Sequence, residues 1–238
     1  MHVPDGFIDA PTSAATAAVA VVAVAVALRK AGNELDERTA PMAGLVAAFV
    51  FATQMLNFPV GAGTSGHLLG GALAAVLVGP WTAILCMSVV LLTQSLLFAD
   101  GGITALGTNI SLMGLVTVVV GWAVFRVVLK IAPRSMRSVA VAAFLAALVS
   151  VPSAALAFVG VYEIGGTAEI PMSSLMTAMV GWHVLIGIGE AIITGLTVSS
   201  VLSVRPDLVY GARGLLDKRR LEIRTASPAT GSRSELTT

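Results

Sequence analysis

The sequence predicts an all-α membrane protein with about seven transmembrane helices. Of its 238 residues, 56% are hydrophobic and only 11% are charged, and the mean hydropathy is +0.92. Soluble domains carry about 25% charged residues, so this composition is typical of a polytopic membrane protein. The apolar runs are continuous rather than alternating, which favours helices. Glycine is frequent, and small residues let transmembrane helices pack closely.

Seven apolar segments are predicted to cross the membrane, since a helical span needs about 20 apolar residues. In order, they are 12–28, 41–58, 67–79, 81–98, 106–125, 139–161 and 175–203. The third would rise only about 20 Å, so we expect neighbouring helices to shelter it. We therefore predict a single bundle over residues 1–205 and a basic, disordered cytoplasmic tail over 206–238.

The basic residues predict which side of the membrane each segment faces. All 14 Lys and Arg fall within 29–38, 126–137 and 205–233. The positive-inside rule places these three clusters in the cytoplasm. An even number of crossings must then separate the first two clusters, which makes the short segment 67–79 a crossing. The amino terminus is predicted outside, the carboxyl terminus inside, and the protein in the plasma membrane.

Several kinds of chemistry are absent from the sequence. It contains no G-x-x-x-x-G-K-[ST] loop for phosphate, no H-E-x-x-H and no G-x-S-x-G. We therefore predict neither an ATPase nor another enzyme, and no nucleic-acid partner. A transporter of this kind would draw its energy from a gradient or from a partner protein. The single cysteine, Cys86, cannot form an internal disulfide and is interpreted as a small apolar residue.

The first residues, MHVPDG, could bind a metal ion. No basic region precedes the first apolar run, so we expect Met1 to be the mature end rather than part of a signal peptide. The Met1 amine, the His2 backbone nitrogen and His2 Nδ1 can then close two chelate rings around one ion. Three nitrogens in a plane suit Ni(II), Cu(II) and Co(II). Because the free amine has a pKa of about 7.7–8.0, affinity should fall as the pH drops.

A fourth nitrogen is available on the same side of the membrane. Of the three histidines, His67 lies in GAGTSGHLLGG, which the span count places outside with His2. An interfacial histidine bonded to a loop carbonyl is the alternative. Metal-bound imidazoles are usually oriented by a second group. The polar residues predicted near this face are Asp5, Asn57, Thr64, Ser65 and Asn109.

His183 and Glu190 form a second polar pair, within the last span. Glu190 is the sole acid inside a predicted span, and the seven-residue spacing places both residues on one helix face. A proton relay and a protonated glutamate bonded to a neighbouring helix remain open. If the pair carries ions, the chain is a stand-alone secondary metal transporter or channel.

Four long segments carry a resemblance that runs in order from Met1 to about Arg205: MHVPDGFID, TSGHLLGGALAAVLVGP, FADGGITALGTN and GWHVLIGIGEAIIT. They resemble the cobalt/nickel substrate-capture subunits of energy-coupling factor transporters, the CbiM/NikM type. The resemblance implies a seven-helix bundle that captures Co2+ or Ni2+ with high affinity, with the amino terminus inserted toward the bundle from outside. Its metal ligands would be Met1, His2 and His67, without an organic cofactor.

The resemblance also implies partners. They are a transmembrane T-component, cytoplasmic ATPase subunits and a small accessory membrane subunit, which would supply the ATPase that this sequence lacks. The family's link to cobalamin synthesis favours cobalt as the cargo, whereas the general order of divalent affinities favours nickel.

Overall fold

A computed structural model describes residues 1–35, 39–61 and 64–215 of the chain. Within these ranges, seven helices form the fold. They are α1 (Ala10–Lys30), α2 (Ala40–Gln54), α3 (Gly71–Val78), α4 (Pro80–Leu97), α5 (Leu106–Ile131, with a π-helical stretch at Ile110–Val116), α6 (Met136–Gly165) and α7 (Met172–Val204). An antiparallel hairpin of β1 (Phe58–Gly61) and β2 (Thr64–Gly66) joins α2 to α3.

Five of these helices are long and apolar enough to cross a membrane: α1, α4, α5, α6 and α7. The predicted multi-pass helical membrane protein is thus confirmed. Each predicted span coincides with one helix, but α2 has 15 residues and α3 only 8, so their length alone does not make them crossings. The hairpin is an addition to the all-α expectation.

Several helix starts follow directly from the local sequence. Proline stands in the first turn of α1, α2 and α4, where its missing N–H costs no helical hydrogen bond. Asp9 caps α1 by accepting from the Thr12 backbone N–H at 2.9 Å. Ser135 caps α6 by accepting from the Ser138 backbone N–H. These prolines and caps define the residues at which the helices begin.

Successive helices alternate in direction, which gives the bundle two ends. We call the end that holds residues 1–9, the β-hairpin and the turns 98–105 and 166–171 the proximal end. The distal end holds residues 31–35, 132–135 and 205–215. The described members of the three basic clusters lie at or near the distal end, as the sequence predicts.

Residues 206–215 differ from the prediction of a tail that begins at 206. They form two short 3-10 turns, Pro206–Leu208 and Tyr210–Ala212. Val209 and Ala212 are fully buried, because this segment folds back against α3 and α6, with Tyr210 packed on Trp122 of α5. The bundle therefore extends through residue 215. Residues 216–238, the rest of the predicted tail, lie outside the described residues.

The short helix α3 is the centre of the bundle. All eight of its residues are buried, as expected for a helix that is apolar on every face. Small residues allow this close packing: a Cβ added to Gly71 would lie 1.9 Å from Thr117 Oγ1, and one added to Gly121 2.7 Å from the Ala72 Cβ. The bundle thus shelters α3 as expected and holds the segment that precedes it, which contains His67.

Candidate metal centre

The amino-terminal segment inserts into the proximal end of the bundle. Met1 is 1% exposed and Val3 is fully buried. The Met1 amine donates a hydrogen bond to the Ser65 carbonyl oxygen at 2.5 Å and lies 3.3 Å from Ser65 Oγ. The first nitrogen of the chain is therefore seated against strand β2, two residues before His67.

Val3 is held on both of its backbone polar groups. Its N–H donates to Asn109 Oδ1 at 2.8 Å, and its carbonyl accepts from Asn109 Nδ2 at 3.1 Å and from the Gly102 N–H at 2.8 Å. The predicted polar residue Asn109 thus acts on the backbone rather than on an imidazole. Since Met1 and Val3 are both fixed, the His2 backbone nitrogen between them has a defined position.

Two further contacts anchor the segment at the turn that follows. Gly6 has a φ of +76°, and the Phe7 N–H closes the turn on the Pro4 carbonyl. The exposed Asp5 accepts from the backbone N–H of Thr104 at 2.7 Å through Oδ1. The Pro-Asp-Gly turn therefore fastens the inserted segment to the 98–105 turn, as a stiff connection to the chelating residues would require.

The two predicted ligand imidazoles lie against each other. The rings of His2 and His67 stack with their centroids 4.5 Å apart and their planes inclined by 29°. His2 Nε2 lies 3.1 Å from Gln94 Oε1, and His2 Nδ1 lies 3.2 Å from Asp100 Oδ1. The nitrogen predicted to bind the metal therefore sits beside a carboxylate.

His67 presents one nitrogen without a partner. It is fully buried, and its Nδ1 lies 2.8 Å from the Leu68 carbonyl oxygen. Because a carbonyl can only accept, Nδ1 carries the proton and Nε2 keeps a lone pair. Nε2 is buried and has no hydrogen-bond partner. Such an orphaned nitrogen is costly in an apolar interior, and a metal ion would satisfy it.

Unpartnered polar atoms concentrate around this pocket. Among the described residues, six buried side-chain nitrogen or oxygen atoms lack a hydrogen bond. They are His2 Nδ1, Gln54 Oε1, His67 Nε2, Gln94 Nε2, His183 Nε2 and Thr194 Oγ1. All but that of Thr194 lie at the proximal end. No group of three His, Cys, Asp or Glu side chains is spaced to hold a metal in the described ranges, so a site here needs main-chain nitrogens.

Burial keeps the amine and the first imidazole uncharged. It lowers the pKa of the Met1 amine from 8.0 to about 4, against the opposing effect of Asp100. Burial and the neighbouring amine also lower the pKa of His2 to about 4. Both groups are therefore neutral at pH 7 and offer lone pairs. The ordinary amine pKa expected from the sequence does not hold in this closed pocket, because the charged form loses its hydration.

The remaining predicted neighbours are distributed differently. Asn57 is exposed in the link between α2 and β1, away from the buried rings. The side chain of Thr64 lies outside the described parts of the structure. Sequence reasoning did not identify Gln94 and Asp100 as neighbours of the imidazoles. A polar residue late in an apolar span and an acid in the turn directly after it were the available signals.

His183 and Glu190 bind different partners. His183 Nδ1 lies 2.7 Å from the Met179 carbonyl of its own helix, which again leaves Nε2 unprotonated and without a partner. Glu190 accepts from the backbone N–H groups of Leu69 and Gly70, at 2.6 and 2.9 Å. The sequence left open a protonated glutamate bonded to a neighbouring helix. In the structure both carboxylate oxygens accept, and the donors are backbone groups of the segment that carries His67, ahead of α3.

Comparisons with known proteins agree on one family. The family model described as "Cobalt uptake substrate-specific transmembrane region" matches residues 2–208. The cobalt transport protein CbiM of Sorangium cellulosum is 33% identical over 216 residues, covering 88% of this chain and 94% of the relative. The fused nickel transport protein NikMN of Rhodobacter capsulatus is 36% identical over 225 residues, covering 90% of this chain and 65% of the relative.

A solved structure shows the same fold. It is described as that of a transition metal transporter, is 29% identical, and superposes with a TM-score of 0.78 over 93% of this chain and 100% of its own. The family model, the relatives and the fold therefore support one conclusion, and the chain belongs to the family of cobalt uptake substrate-specific transmembrane regions.

Proposed function

We propose that the protein captures Co2+ or Ni2+ with high affinity at its own amino terminus. The donors would be the Met1 amine, the His2 backbone nitrogen, His2 Nδ1 and His67 Nε2. One observation carries the proposal: the buried, unpartnered Nε2 of His67 lies in the pocket that holds the neutral amine and the stacked His2 ring. Four nitrogens suit these ions.

Charge balance supports a divalent cargo. The His2 amide must lose its proton to bind, which contributes one negative charge. The carboxylate of Asp100, 3.2 Å from His2 Nδ1, contributes the second. The two positive charges of the ion are thereby matched inside an apolar pocket, where an unbalanced charge is strongly disfavoured. A monovalent ion would leave the site negative.

The same proposal includes a direction and partners. The proximal end would face outside, because the described Lys and Arg residues gather toward the distal end. A T-component and cytoplasmic ATPase subunits would drive release inside, with the small accessory subunit as a further partner. The names of the relatives, nickel transport and cobalt transport proteins, support these two metals as cargo.

The test is a titration of the purified protein with Co2+ and with Ni2+, alone and in competition. We expect one ion per chain and a ranking of the two metals. Loss of a group that only hydrogen-bonds a metal ligand lowers affinity about 10–100-fold. Because His67→Ala would remove a ligand itself, we expect a larger loss of affinity in this variant. Metal binding that survives this substitution unchanged would contradict the proposed ligand set.

A second experiment tests the partnership. In vesicles with the protein alone, we expect capture without net uptake, and uptake only when the T-component, the ATPase subunits and ATP are added. Net uptake by the purified chain without nucleotide would contradict this part of the proposal and support the secondary transporter that uses Glu190 and His183.

A further inference from the structure

Glu190 is a buried carboxylate in the middle of α7, and it is only 3% exposed. Its Oε2 accepts from the Leu69 N–H at 2.6 Å and its Oε1 from the Gly70 N–H at 2.9 Å. Burying a carboxylate is unfavourable unless such bonds replace its hydration. The position is therefore specific: the two donors are the backbone groups that lie two and three residues after His67.

The whole segment from His67 to Gly70 is fastened through its backbone. Gln54 on α2 donates from Nε2 to the Leu69 carbonyl at 2.7 Å. The Leu68 carbonyl accepts from His67 Nδ1 and so sets the rotation of the imidazole. Gly70 has a φ of +80°, and the chain turns there into α3. The direction of His67 Nε2 thus depends on backbone groups that α2 and α7 hold.

We infer that Glu190 is a positioning residue for metal capture: with Gln54, it fixes the backbone from His67 to Gly70 so that His67 Nε2 faces the amino terminus. The inference rests on the proposed function and adds to it how the fourth nitrogen is aimed. Glu190 does not touch the ion. It acts through two peptide N–H groups, and its side chain links α7 to the metal pocket.

The chain contains a matched control at the distal end. Glu34 is also 3% exposed, and its carboxylate accepts from the backbone N–H groups of Trp81 and Thr82 at 3.2 and 2.7 Å. It therefore makes the same kind of contact at the start of α4 that Glu190 makes at the start of α3. Glu34 lies at the opposite end of the bundle from the metal pocket.

The experiment compares Glu190→Gln with Glu34→Gln in the full-length purified protein. Glutamine keeps the size of the side chain but has one acceptor oxygen, so its NH2 group would face a peptide N–H. Ni2+ affinity is measured by competition with a coloured chelator, together with the visible absorption of the bound ion and the melting temperature. A purely structural role would change only the melting temperature.

We expect Glu190→Gln to lower Ni2+ affinity about 10–100-fold, as the loss of a group that orients a metal ligand does, and to alter the absorption of the bound ion. Glu34→Gln should lower the melting temperature but leave the affinity within about twofold, since it does not act on a ligand. Glu190→Asp should recover part of the affinity. Gln54→Met removes only the bond to Leu69, so we expect a smaller loss of Ni2+ affinity. This variant still tests the inference if Glu190→Gln does not fold.

Two negative results have different meanings. If the unsubstituted protein and Glu34→Gln fail to bind Ni2+ or Co2+, the proposed function itself is wrong, and this inference falls with it. If the unsubstituted protein binds but Glu190→Gln and Gln54→Met bind equally well, with the same absorption, the positioning role is overturned and the metal site stands.

Discussion

The two ends of the bundle contain the same kind of buried contact, but the polar groups around it differ. At each end a buried glutamate accepts from two backbone N–H groups at the start of a helix, Glu190 at α3 and Glu34 at α4. At the distal end, Arg213 also donates to the Glu34 carbonyl at 2.8 Å. At the proximal end, the segment that Glu190 holds carries His67, whose Nε2 has no partner. Satisfied polar groups fasten the fold, whereas unsatisfied ones mark where a ligand can bind.

The two ends of the bundle also differ in charge. The described Lys and Arg residues lie toward the distal end, and the proximal turns carry acids such as Asp100 and Glu169. A cation is therefore attracted to the end that offers it free lone pairs. Four changes to the protein or its solution test whether the two ends differ in this way.

The largest effect should come from blocking the terminal amine. We expect a three-residue extension ahead of Met1 to abolish Co2+ and Ni2+ binding, because the amine would leave a pocket in which Met1 is 1% exposed. A single added residue is a poorer test, since a histidine third from a free amine forms a new chelate by itself.

A cleavable version of the extension is the control. Metal titration before and after a protease removes it directly ahead of Met1 should show binding lost and then regained. Binding that persists with the extension in place would mean that the amine is not a ligand.

The pH dependence should be the next largest effect. The Met1 amine and His2 are neutral above about pH 4 because burial lowers both pKa values. Between pH 7.5 and 5.5 the metal then displaces a single proton, from the His2 amide, and affinity falls about tenfold per pH unit. Raising the pH over the same range increases the metal affinity.

Calorimetry in buffers of different ionisation enthalpy measures the protons released directly. One proton per ion agrees with an amine that is docked and neutral before the metal arrives. Two protons at pH 6 would mean that the amine is charged in the metal-free protein and that the closed pocket forms only with the ion.

Removing the charge of Asp100 should have a moderate effect. Asp100→Asn keeps the shape of the side chain but leaves the ion with one uncompensated charge, so we expect Ni2+ affinity to fall about tenfold. Glu169→Gln removes an exposed charge at the same end and is the control for general attraction. Equal losses in both variants would assign the effect to the surface potential rather than to the contact with His2.

The smallest effect on binding belongs to the distal glutamate. Glu34→Gln leaves a backbone N–H at the start of α4 poorly satisfied, which costs about 1–3 kcal/mol when the group is buried. We expect a lower melting temperature with unchanged metal affinity. A loss of affinity equal to that of Glu190→Gln would show that the two ends are coupled rather than independent.

The sequence predicted much of the candidate site because three of the four proposed donors belong to its first two residues. The spacing of Met1 and His2 defines the proposed chelate, and no folding is needed to place an amine next to a peptide nitrogen. The pairing of His2 with His67 followed from counting charges and spans, and the stacked rings agree with it. The neighbours Gln94 and Asp100 could not be ranked, because their contact depends on how α4 packs.

Composition and periodicity are properties of each segment alone. They were therefore enough to predict the membrane class, the seven apolar segments, the end that collects the basic residues and the candidate ligands. The three-dimensional fold was needed to show that Glu190 holds the backbone after His67, that Asn109 holds Val3 and that residues 206–215 fold back on the bundle. These contacts join residues far apart in the chain, and they depend on how closely small residues let the helices approach.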